Sequence, residues 1–308
     1  MMKKRKLTGL VAAGLAGGLM LAGCASDGEG SGNDGASGDG EDLGTITLGF
    51  LPSWTDGLST AWLLKDQLER IGYTVEFEEL TEAAILYTGL ANGDVDIYPS
   101  AWSELTHRDY MQEYGDQLED LGAYYDNAKL TIAVPEYMDD INSIEDLKGN
   151  ADRFDGEIMG IEPSAGLTNQ TETVMMPEYG LDGEYELVTS STATMLASLD
   201  DAIENEEDIV VTLWRPFWAN NAFPVKDLED PKGGMGESEA LHFLATAGFS
   251  DEFPEAAEYI EGIQLDDAQY GSLEDIVVNE FEGESDKSEA ITQWLEANPD
   301  AYETIITE

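Results

Sequence analysis

Three tryptophans stand at one kind of place: Trp54, Trp102 and Trp214 each come just after a short apolar run that reads as a strand, at residues 46–50, 95–98 and 209–212. Open α/β sheets place their ligand crevice at the carboxyl ends of strands, so all three indoles are expected to face one cleft. An alkylated ammonium group has no N–H to donate, and the negative face of an aromatic ring holds it at about 0.5–2 kcal/mol per ring. Three such rings together are expected to form an aromatic cage. Pro163-Ser164-Ala165-Gly166-Leu167-Thr168 joins a strand to a helix, so the backbone amides near Gly166 are expected to point outward at a helix start, where a carboxylate is favoured. His107 follows Trp102 by five residues and precedes a helix, placing a hydrogen-bond donor within reach of the same cleft.

The elements that must hold these residues follow from periodicity. A strand at 46–50 leads to a helix at 58–71 with Leu58, Ala61, Trp62, Leu68 and Ile71 on its apolar side, stopped by Gly72. A strand at 73–77, a helix at 81–91 closed by Asn92-Gly93, and a strand at 95–98 complete a β-α-β-α-β rhythm that implies a parallel, covered sheet. A helix at 109–117, a strand at 130–134 and a helix from 141 behind a capping Asn or Ser follow. The rhythm then restarts with a strand at 158–161, a helix at 168–175, a strand at 185–188, a helix at 193–203 and a strand at 209–212. Beyond 241 the pattern is mostly helical and reads as the chain returning to complete the first half. The expected fold is therefore α/β and two-lobed with a cleft between the lobes, residues 45–136 and 241–308 forming lobe 1 and 137–240 lobe 2. Trp62 and Trp294 are expected in the core. Trp218 and Tyr98 lie beside the cage segments, where packing explains them equally well, and His242 is expected to be structural.

Composition narrows the chemistry. Residues 1–23 begin with Met1-Met2-Lys3-Lys4-Arg5-Lys6 and an apolar, glycine-containing stretch, the layout of an export signal; it is shorter than the roughly 20 apolar residues a membrane span needs. It ends in Leu21-Ala22-Gly23-Cys24, similar to a bacterial lipobox, so Cys24 is expected to become the lipidated first residue of the mature chain. Residues 24–44, rich in Gly, Ser, Asp and Glu, read as a flexible acidic tether. Cys24 is the single cysteine, which leaves no thiol for a disulfide, a metal or a nucleophile. With two histidines and no His/Cys spacing, no metal or cofactor is expected, and the Asp-x-Asp-x-Asp-Gly pattern of a calcium loop is missing. No Gly-x-Ser-x-Gly or comparable signature marks a hydrolase, the rival class, whose test is turnover of an ester, glycoside or peptide. The formal charge of −51 disfavours nucleic acid and anionic membrane as partners and fits a high-salt habitat, where screening relieves self-repulsion.

Taken in order along the chain, Trp54-Thr55-Asp56, Gly93-Asp94-Val95-Asp96, Ser100-Ala101-Trp102 with Thr106-His107, Val134-Pro135-Glu136-Tyr137-Met138, Gly160-Ile161-Glu162-Pro163, Val210-Val211-Thr212-Leu213-Trp214-Arg215-Pro216 and Asp230-Pro231-Lys232-Gly233 resemble the glycine betaine binding proteins of osmoprotectant ABC importers. The resemblance runs over nearly all of the mature chain. It implies a type II periplasmic-binding-protein fold and a non-enzymatic role as the extracytoplasmic, lipid-anchored, monomeric component that hands a quaternary-ammonium solute to a membrane permease. It also implies that Trp54, Trp102 and Trp214 enclose the trimethylammonium while His107 and the amides of Gly166 and Leu167 hold the carboxylate. Another onium zwitterion, such as proline betaine, carnitine or a sulfonium compound, is the alternative cargo. Two departures bear on preference: Trp214-Arg215-Pro216-Phe217-Trp218 carries Phe217 where the family has His, and Ser103-Glu104 replaces the usual Leu-Pro.

Overall fold

The computed structural model describes residues 43–307. The expected signal segment, Cys24 and most of the tether lie outside the described residues. Among the described residues nine strands and eleven α-helices follow in order. The first half opens β1 (Thr45–Phe50), α1 (Thr55–Ile71), β2 (Thr74–Glu79), α2 (Ala83–Asn92), β3 (Ile97–Ala101) and α3 (Arg108–Tyr114). After the long β4 (Leu118–Pro135) come β5 (Glu157–Met159), α4 (Gly166–Gln170), α5 (Met176–Tyr179), β6 (Glu186–Val188), α6 (Thr192–Asn205), β7 (Val211–Arg215), α7 (Ala219–Ala222) and β8 (Val225–Asp227). The chain then returns through β9 (Glu239–Thr246) to α8 (Phe249–Glu252), α9 (Pro254–Glu261), α10 (Asp267–Asp275) and α11 (Ser288–Ala297).

Two sets of strands are joined through β4. β1 pairs in parallel with β2 and β3, and β9 runs antiparallel between β3 and the first part of β4. The second part of β4 pairs antiparallel with β7 and β8, while β5 lies parallel to β6 and β7. The passage from one set to the other falls inside β4, between Ala128, which faces Glu239 of β9, and Lys129, which faces Arg215 of β7. The sequence reading places this passage after Glu136; the strand simply runs on through it. Alternation in the sequence marks only 130–134 of β4, because three register shifts against β9 and a positive-φ Gly122 break it over the first part.

The apolar positions explain the layers. β3 is buried at every residue and β1 at its last three, as parallel strands covered on both faces must be. Helix α1 buries Ala61, Leu64 and Leu68 and ends where Gly72 takes φ 122°, a conformation that costs other residues a Cβ clash. Helices α9, α10 and α11 pack on α1. Trp62 and Trp294 are core residues as expected, Trp294 with its indole N–H donated to Ser272 Oγ at 2.9 Å. Trp214 departs from its expected place beyond a strand end: β7 extends to Arg215, so the indole projects from within the strand, opposite Leu130 of β4.

Candidate functional site

One cavity lies where the two halves meet, and Trp54, Trp102, Trp214, His107, Gly166 and Leu167 all line it. The remaining lining is Asp56, Thr106, Leu130, Ile161 and Ala165, so no Lys or Arg faces the space. Both halves contribute. Trp54 caps the start of α1, Trp102 follows β3 and His107 caps the start of α3, whereas Gly166 and Leu167 open α4 and Trp214 comes from β7.

Each ring is fixed by a different contact. Trp54 donates its indole N–H to Glu162 Oε2 at 3.0 Å and lies nearly parallel to the His107 ring, 6.2 Å between centroids. Trp102 donates its indole N–H to Asp56 Oδ2 at 3.1 Å. Trp214 is stacked on Phe217, centroids 3.9 Å apart and planes 20° apart. Phe217 thus backs a lining tryptophan and does not itself reach the cavity. Glu104, the other departure from the family pattern, accepts from the amide of Ala240 and lies beside His242, also outside the lining.

His107 is 2% exposed, and burial alone lowers its pKa to about 3, so the imidazole is neutral at neutral pH. Its Nδ1 receives the amide N–H of Trp102 at 3.3 Å and lies 2.9 Å from the Tyr87 hydroxyl. An amide can only donate, so Nδ1 accepts, the ring proton sits on Nε2, and Tyr87 donates. The result is a neutral donor held among aromatic rings. Gly166 is required by close approach: a Cβ there would lie 2.3 Å from the Thr106 carbonyl oxygen, which belongs to the opposite half. Thr106 is in turn tied down by Glu239, which accepts from the Leu105 and Thr106 amides and the Thr106 hydroxyl.

Besides Glu239, three buried acids escaped the sequence reading as separate features. Asp56, 2% exposed, accepts from Ser100 Oγ at 2.7 Å as well as from Trp102, and burial raises its pKa against these bonds. Glu274 of α10 accepts from the Thr55 hydroxyl and is raised to about 7, first by burial and then by the Asp56 charge. Glu162 is the third. Asp56 had a legible signal, an acid two residues after a candidate cage tryptophan in the first turn of a helix. Glu162 and Glu274 had none, because their partners are remote in sequence. His242 is structural as expected: Nδ1 lies 2.9 Å from Asp120 Oδ1, and that bond raises its pKa. Tyr98 is buried and Trp218 half-buried, and neither lines the cavity. Among the described residues no group of acidic, His or Cys side chains is arranged to hold a metal.

The lining thus combines an uncharged donor and three indole rings with one acid, Asp56, and no cation. Residues 44–297 match the family model for the substrate binding domain of the ABC-type glycine betaine transport system. The chain belongs to that family. A solved glycine betaine/L-proline-binding protein, ProX from Borrelia burgdorferi, shares 32% identity, with 83% of this chain and 94% of that one covered at a TM-score of 0.75. Lactococcal OpuAC in its closed-liganded conformation with glycine betaine shares 30% identity over 83% and 97% of the two chains, at a TM-score of 0.74. A glycine betaine/carnitine transport binding protein of Listeria monocytogenes is 32% identical over 145 residues, spanning 46% of each chain. These neighbours are two-lobed solute-binding proteins and not enzymes, which establishes the two-lobed α/β fold for this family member. Among the described residues no helix is long and apolar enough to cross a membrane.

Proposed function

We propose that this protein captures glycine betaine outside the cytoplasm and delivers it to a membrane ABC permease, tethered by lipid on Cys24. The observation that carries the reading is the lining itself: three tryptophans drawn from both halves face a neutral N–H donor and a helix-start backbone, with no cation between them. The trimethylammonium group sits against Trp54, Trp102 and Trp214, where attraction to the ring faces replaces the hydrogen bonds it cannot make. The carboxylate takes the Nε2–H of His107 and the amides of Gly166 and Leu167. Asp56, behind Trp102, adds a negative charge on the onium side, and the bound cation favours its ionised form. Lobe 1 supplies Trp54, Trp102 and His107 and lobe 2 supplies Gly166, Leu167 and Trp214, so the ligand bridges the lobes and favours the closed state. No chemistry follows; closure and recognition by the permease are the function.

A thermal-shift panel in high salt tests the reading. Glycine betaine at 100 times its dissociation constant stabilises the folded state by about 2.7 kcal/mol. Choline, lacking the carboxylate, leaves His107 and the two amides unpaired and is expected to shift the midpoint much less. Proline betaine and carnitine share both halves of the chemistry and are graded by fit. No shift with any onium compound overturns the reading, and equal shifts with choline and glycine betaine overturn the role of His107.

A further inference from the structure

Glu162 joins the two halves at the tryptophan cage. Its carboxylate is 4% exposed and has four donors but no ion-pair partner among the described residues. Two donors come from its own half: the amide N–H of Thr192 at 2.9 Å to Oε1 and the Thr192 hydroxyl at 2.8 Å to Oε2. Thr192 is the first residue of α6, a helix of 14 residues, so the acid sits where the helix dipole favours negative charge. The backbone oxygen of Glu162 also accepts from Thr168 Oγ1 and the Ala165 amide, which fixes its position relative to the Gly166 turn. The other two donors cross the cleft: Trp54 Nε1 at 3.0 Å to Oε2 and Ser53 Oγ at 3.3 Å to Oε1. Glu162 is therefore anchored in one half and grips a cage ring of the other.

We infer that Glu162 is a positioning residue that orients Trp54 only when the lobes are shut, and so acts as a latch that lengthens the residence of the bound ligand. The inference rests on the proposed betaine-binding role of the cage. Glu162 also borders a groove with Pro52, Ser53, Glu82, Ser190 and Ser191, so separation of the halves brings water to the carboxylate while Thr192 stays in place. Trp54 then loses its indole acceptor and its fixed orientation together. A buried carboxylate that keeps two anchors in the open state and gains two further donors in the closed one favours closure without touching the ligand. Other contacts join the same two faces, among them the Tyr110 hydroxyl donating to the Ser164 carbonyl at 2.7 Å, but none of them holds a cage ring.

The test uses the full mature chain, glycine betaine as probe, and stopped-flow tryptophan fluorescence. In Glu162→Gln the amide has one acceptor oxygen and cannot serve both Thr192 N–H and Trp54 Nε1–H. The dissociation rate is expected to rise about tenfold or more, with the association rate changed less than about threefold, as for a contact completed only after encounter. The ligand-free midpoint is expected to stay within about 2 °C of wild type, since the cross-cleft bonds are absent from the open form. In a Trp54→Phe background, which keeps a ring but removes the indole N–H, the same substitution should change dissociation by less than about threefold, the mark of two groups acting as one contact. Wild-type dissociation in Glu162→Gln overturns the latch, and so does an undiminished effect in the Trp54→Phe background. A fall of more than about 5 °C in the ligand-free midpoint assigns Glu162 a plain stabilising role and also overturns it. A wild-type chain that binds no glycine betaine overturns the functional reading and the latch together.

Discussion

Truncating the two tryptophans held by different contacts separates binding from stability. Trp214 lies in β7 with one face to the cavity and the other on Phe217, 3.9 Å away between centroids, and its indole N–H serves no buried acceptor among the described residues. Trp214→Ala removes one cage ring and leaves a gap that opens into the cleft, where water can enter. Losing one ring's cation–π attraction and its contact with the methyl groups is expected to weaken glycine betaine binding by about 1–3 kcal/mol, or roughly five- to 150-fold. Trp102→Ala removes a ring of the same kind but also one of the two side-chain donors to Asp56, which is 2% exposed. The binding loss is expected to be similar, but the ligand-free fold should lose a further 1–3 kcal/mol or so, because a buried carboxylate is left short of a partner. Titration calorimetry in high salt measures the first quantity and urea unfolding of the ligand-free protein the second. Trp102→Phe, which keeps a ring, should show most of the stability loss and less of the binding loss. Unchanged affinity in both alanine variants refutes the cage, and equal stability of the two refutes the role given to Asp56.

Two further outcomes follow from charge. The Glu274 carboxyl is raised from 4.5 to about 7 by burial, so between those values the native state keeps a proton that the unfolded chain releases, and stability falls as pH rises through that window. At about 1.36 kcal/mol per pH unit, the stability advantage of Glu274→Gln over wild type should grow by about 3 kcal/mol from pH 4.5 to 8; a difference that stays flat across this range removes the assignment. His107 acts in the opposite sense: lowered from 6.5 to about 3, it stays neutral in the native state while the unfolded chain takes up a proton, so it destabilises as pH falls below 6.5. The two effects oppose each other between pH 4.5 and 6.5, which is why the variant comparison is needed to isolate Glu274. The overall charge of −51 gives the last expectation: raising NaCl from 0.1 to 2 M should raise the ligand-free midpoint, because the Debye length shrinks from about 10 Å to below about 3 Å and the carboxylates cease to repel across the surface. A midpoint that is flat or falls with salt contradicts this.

Residue type and local order by themselves marked the residues that line the cavity. Tryptophans just past apolar runs, a histidine at a helix start and a glycine-containing strand-to-helix turn are local signals, and the β-α-β rhythm that carries them depends on periodicities of a few residues. Trp54, Trp102, Trp214, His107 and Gly166 were therefore legible as candidates before any packing was known, Leu167 through the family resemblance, and the cavity brings all six together. The limits of β4 and β7 were not, because a bulged strand hides its alternation and the end of a strand is set by the partner it pairs with. Only the tertiary structure decided which acid serves which ring. Glu162 meets Trp54 across 108 residues, Asp56 meets Trp102 across 46, and Thr55 meets Glu274 across 219. In a chain with 65 acidic residues, composition cannot single out these three. Burial narrows them to these three and Glu239, because a carboxylate removed from water must find donors, and here the donors include the rings and helix starts that shape the site.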